Sequence, residues 1–118
     1  MTYSKGQQDL IILEKLRSQL FFKIENEWQD KWEKYGTTFR GFDNLTSLNA
    51  FLEDLLDDIE ETIKTKLGLK ATAAILISKD SLRRFIQKSQ IGIIKLKTRH
   101  TIAYYLGYDG WEDFVRNN

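Results

Sequence analysis

No proline interrupts this chain of 118 residues, and apolar side chains recur along it at steps of three and four. Helix is therefore the element it can build at length, because proline is the strongest breaker and a 3.6-residue repeat needs one apolar stripe. Ser4 and Gln7 have capping-box spacing, and a helical pattern runs from there to about Tyr35. Leu10, Leu13, Leu16, Leu20, Phe21, Ile24, Trp28, Trp32 and Tyr35 share its expected buried face. Ile11 and Phe22 fall on the opposite side, as isolated surface apolars or as the contact of a homodimer.

The segment "GTTFRGFDN", residues 36–44, reads as a loop whose Phe39 and Phe42 fold back on the core. A second long helix begins near Leu45. Its apolar face is Leu48, Phe51, Leu52, Leu55, Leu56, Ile59, Ile63 and Leu67, and Gly68 is its expected stop. The other side carries Glu53, Asp54, Asp57, Asp58, Glu60 and Glu61, with Glu60 and Lys64 spaced as an i, i+4 pair. No histidine is near enough to complete a Glu-x-x-His metal set, so these carboxylates read as a solvated face.

Residues 71–77, "ATAAILI", and 91–97, "IGIIKLK", suit either a strand or a buried helix end, which admits a minor two-stranded pairing. Between them, Ser78 starts a short helix in which Leu82, Phe85 and Ile86 share one side. Arg83, Arg84 and Gln87 then face solvent, with Asp80 spaced to pair with Arg84. Thr98 is the expected cap of a further helix ending at Gly107, and Asp109 with Glu112 that of a last one carrying Trp111 and Phe114.

Charge divides the chain. Residues 1–66 hold nine Lys/Arg and 13 Asp/Glu, a net of −4, whereas residues 67–118 hold nine and four, a net of +5. A basic half attracts phosphate backbones by releasing condensed counterions, and it can equally pair with the chain's own acidic half. Cysteine is absent, which excludes disulfides and thiolate metal sites. No apolar run has the length of a membrane span and the N-terminus lacks a signal-peptide pattern, so a cytoplasmic protein is expected. The single histidine, His100, has no nucleophile and acid placed beside it by sequence, and it reads as structural or exposed. No glycine-rich phosphate loop is present. An enzyme is the least supported class, and no cofactor or metal is expected.

"ISKDSLRRF" followed by "TRHTIAYYLGYDGWEDFV" resembles a mostly uncharacterised bacterial module with the pattern I-S-x-x-T-L-x-R, a spacer, then T-L-x-x-L-A-x-Y-L-G-Y-x-x-W-x-x-F. The likeness covers about residues 75–115, with "YLGYDGWEDF" its specific part and Ser81 where the module usually has threonine. More distantly the same stretch is similar to the later helices of phage-repressor-type helix-turn-helix domains. That resemblance makes Ser78 the cap of a recognition helix and turns Arg83, Arg84, Gln87 and Lys88 outward. The link from the second long helix to Ser78 is longer than the tight turn of such domains.

The expected protein is all-α and a single domain over residues 1–118. A long antiparallel helical hairpin fills 4–68, and a basic cluster of short helices resembling a helix-turn-helix fills 69–118. Its expected function is that of a small non-enzymatic DNA-binding or regulatory module, the alternative being a protein-interaction adaptor with no nucleic-acid binding. Lys79, Lys88, Lys95, Lys97 and Arg99 would hold phosphates or a protein partner, with Arg83, Arg84 and Gln87 closest to the bases.

Overall fold

The computed structural model describes residues 5–28, 48–68, 70, 75–86 and 94–118. Five helices are described: α1 (Lys5–Glu27), α2 (Leu48–Leu67), α3 (Lys79–Ile86), α4 (Leu96–Tyr105) and α5 (Trp111–Asn117). The fold is all-α. Ser4, Trp32, Tyr35, Phe39, Phe42, Leu45, Gln87 and Lys88 lie outside the described residues.

The periodic stripes of the long helices form the core. Leu13, Leu16, Leu20, Ile24 and Trp28 are buried on α1, as are Phe51, Leu52, Leu55, Ile59 and Ile63 on α2. Leu10, expected on that face, is 57% exposed, whereas Leu13, one turn on, is buried. The end of α1 meets the start of α2 through Trp28 and Phe51, edge to face at 5.6 Å. Gly68 has φ +88° and its N–H donates to the Lys64 carbonyl, so α2 stops where a left-handed residue without Cβ is available. Lys64 pairs with Glu61, one turn away on the i, i+3 diagonal, rather than with Glu60.

Helix α4 packs against each of the other four helices. Ile102, Ala103 and Tyr105 are fully or nearly buried, and the Tyr105 hydroxyl donates to the Asp58 carboxylate on α2 while Lys23 of α1 lies 5.0 Å from its ring centre. Helix α3 buries Leu82, Phe85 and Ile86. It is also held at its end, where Arg17 of α1 donates through Nε to the Phe85 carbonyl at 2.8 Å and stacks 5.4 Å from the Phe85 ring. That bond ties α3 to α1 across 68 positions of sequence.

Among the described residues there is no strand. The two-stranded pairing is corrected where it can be followed: Leu96 and Lys97 open α4, and Ile75 is tied to that helix by a side chain instead of a ladder. The Thr101 hydroxyl lies within hydrogen-bonding distance of the Ile75 carbonyl and, at 2.8 Å, of the Lys97 carbonyl. Its single proton serves one of them at a time. Ile94 is buried in the core and Ile75 packs against it. Residues 71–74 and 91–93 lie outside the described residues.

Candidate functional site: the α4–α5 cleft and the basic helices

Helix α3 is started by Ser78, as its sequence implies. The Ser81 N–H donates to the Ser78 hydroxyl oxygen at 3.0 Å, and the Leu82 N–H to the Ser78 carbonyl at 3.1 Å. The cations of this helix all meet carboxylates. Asp80 accepts Arg84 at 3.1 Å and Arg83 at 3.5 Å, and Lys79 reaches across to Glu53 of α2 at 3.1 Å. Asp57 and Glu60 follow Glu53 at four and seven residues, on the same exposed face of α2.

The remaining cations divide in two. Arg99 folds back, with Nε donating to the Ile94 carbonyl at 3.1 Å and its guanidinium 5.2 Å from the Trp111 ring centre. Lys95 and Lys97 are exposed, with no ion pair among the described residues. They flank Leu96, which is 65% exposed although it opens a helix whose other apolar residues are largely covered.

Capping at this end of the molecule departs from the spacing-based expectation. Helix α4 begins at Leu96 after an extended Lys95 (φ −59°, ψ 146°) with no side-chain cap, and Thr98 sits inside the first turn, buried. Its exit follows the glycine pattern: Gly107 has φ +102°, its N–H bonds the Tyr104 carbonyl and the Tyr108 N–H bonds the Ala103 carbonyl, both at 3.0 Å. This is a Schellman motif. The last helix is not capped by Asp109. Gly110 takes the cap position at φ +107°, and the first open N–H, that of Trp111, donates to Nδ1 of His100 at 3.1 Å. The carboxylate that reaches back to the Asp109 N–H, at 2.9 Å, belongs to Asp113 and not to Glu112.

His100 is thus the joint between α4 and α5. Its Nδ1 accepts, so in the neutral ring Nε2 carries the proton, and the ring packs edge to face on Tyr104 at 4.8 Å. A Cβ at residue 110 would overlap the imidazole, which adds a steric reason for glycine to the conformational one.

Leu96, Lys97 and His100 from α4, with Asp109, Trp111 and Glu112 opposite, line an open cleft of about 440 Å³. Trp111 is held there by parallel stacking on Phe114 at 5.7 Å. Asp109 is neutralised by Lys66 at 3.4 Å. Glu112 is exposed and has no ion pair among the described residues. The rim therefore carries a cation from α4 and an anion from α5, neither ion-paired among the described residues. Of the sequence-derived site residues that are described, Lys97 alone lines this cleft. Leu96, Asp109 and Glu112 were not legible as site residues, although a leucine between two lysines is a signal of an apolar side chain held at the surface.

Among the described residues no group of three His, Asp or Glu side chains could hold a metal ion, and no helix is long and apolar enough to cross a membrane. No family model matches the chain, and no curated protein or solved structure matches it either.

Proposed function

We propose that this chain is a small non-enzymatic recognition module that binds protein, with the α4–α5 cleft and its charged rim as the docking site. The observation that carries this is the carboxylate environment of α3. Arg83 and Arg84 share Asp80, Lys79 lies on Glu53, and the exposed acids of α2 continue beside it. Exposed ion pairs are worth less than about 1 kcal/mol and open easily, so the pairs themselves do not keep a ligand away. The carboxylates do: Asp80 on α3 and Glu53 beside Lys79 repel the phosphates of a duplex laid along this helix. A protein segment meets no such dense anionic backbone, and the cleft offers it apolar surface at Leu96 with Lys97 as a cation and Glu112 and the Lys66-paired Asp109 as anions.

DNA binding is the rival function, favoured by the serine-capped α3 with outward arginines and by Lys95 and Lys97, which have no ion pair among the described residues. Fluorescence anisotropy of a random duplex pool at near-physiological salt separates the two. Protein recognition predicts no binding at tens of micromolar, roughly the weaker range of non-specific DNA contacts. Binding with a steep log–log salt slope, reduced by about one in Lys97→Ala, would return the function to DNA.

A further inference from the structure

We propose that the partner seated on the α4–α5 surface is a second copy of this chain, docked about a two-fold axis so that Lys97 of each copy meets Glu112 of the other. The proposal rests on the protein-recognition reading and names its partner. Four side chains make the face. Leu96 and Lys97 are adjacent in the first turn of α4, and Glu112 and Val115 are three apart on α5, hence neighbours on one side of that helix. Leu96 is 65% and Val115 40% exposed, both high for large apolar side chains.

Lys97 from α4 and Glu112 from α5 both line the cleft, and neither has an ion pair among the described residues. The neighbouring charges are satisfied differently: Asp109 by Lys66, and Asp113 by Arg116 at 3.5 Å. A surface that sets a cation and an anion, neither ion-paired among the described residues, each beside an exposed apolar residue is complementary to itself. A two-fold axis between the walls sets cation against anion twice and leaves the apolar residues to be covered between them, which is the isologous arrangement of most homodimers. Lys95, also exposed, adds positive charge on the α4 side, where the partner's acid arrives.

Sedimentation of the whole chain from about 1 to about 100 micromolar, a range that brackets weak to moderate association, tests this. Wild type should pass from monomer to dimer. Lys97→Glu alone and Glu112→Lys alone should each raise the dimer dissociation constant by about tenfold or more, since each reversal turns two attractive contacts repulsive. Unchanged circular dichroism shows that each variant is folded. An equimolar mixture of the two variants should recover wild-type dimerisation, because each reversed charge then faces its opposite in the other chain. Three results overturn the proposal: a wild type that stays monomeric, single variants that dimerise normally, or a mixture that does not recover. Loss of the dimer on Phe22→Glu with no effect of the charge reversals likewise overturns it and puts the contact on α1. A monomeric wild type leaves protein recognition standing, since that function is judged by the duplex titration.

Discussion

Tyr105 shows how much a single side chain contributes to holding three helices together. Its ring is buried on α4, its hydroxyl donates to Asp58 of α2, and the Lys23 ammonium of α1 lies over its face. Burial first, and then the Asp58 carboxylate, push its ionisation well above the ordinary value of 10.0. The folded protein therefore keeps this proton at pH values where the unfolded chain has released it. Below about pH 10 both states are protonated and the contribution is constant; above it, stability should fall by about 1.4 kcal/mol per pH unit. Tyr105→Phe has no proton to release. Denaturant titrations at about pH 9 and about pH 11 should show the stability gap between wild type and variant narrowing by that slope, whereas a constant gap would mean the phenol titrates as an exposed one does. The sequence placed Tyr105 in a helix but gave no sign of Asp58 as its partner, 47 residues away.

At the scale of elements, α5 is the clearest case of a helix that tertiary contacts create. Seven residues are too few to hold helical structure in water. It forms because Trp111 and Phe114 enter the core and because His100 supplies the acceptor its first N–H lacks. Trp111→Ala should therefore cost about 3 to 5 kcal/mol, the range for deleting a large buried aromatic. Thermal melts measure it; a loss below about 1 kcal/mol, ordinary at a surface site, would mean that α5 contributes little to the core. The apolar spacing of Trp111 and Phe114 was legible, and so was the glycine exit of α4. The cap was not, because the D-x-x-E pattern at 109–112 scores local spacing alone. The Trp111 N–H is satisfied by a ring eleven residues back, on another helix.

At the scale of the whole molecule, two long-range ion pairs among the described residues join the acidic and basic halves. Lys79 of the basic half reaches Glu53, and Lys66 of the acidic half reaches Asp109, whose neighbouring carbonyl at Tyr108 it also donates to at 3.1 Å. The charge asymmetry is thus partly consumed inside the protein. Both pairs are exposed to solvent, so a double-mutant cycle on Lys79 and Glu53 should give a coupling of about 0.2 to 1 kcal/mol. Urea unfolding of the four variants checks it, and a coupling above about 2 kcal/mol would mean the pair is shielded from water in a way its exposure does not suggest.

Taken alone, the sequence determined the helical class and most of the buried residues. An apolar repeat of 3.6 is a local property, and it fixes which side chains share a face whatever that face meets. Leu13, Leu16, Leu20 and Ile24 on α1 and Leu82, Phe85 and Ile86 on α3 were readable for that reason. What the tertiary structure decided was the partner of each polar group. Whether Lys79 projects into solvent or lies on Glu53, whether Arg99 is free or folded over Trp111, and whether His100 is idle or caps α5 depends on which helix lies alongside. Periodicity carries no record of that neighbour: hydrogen bonds and ion pairs join atoms a few ångströms apart in space, across chain separations the pattern does not encode.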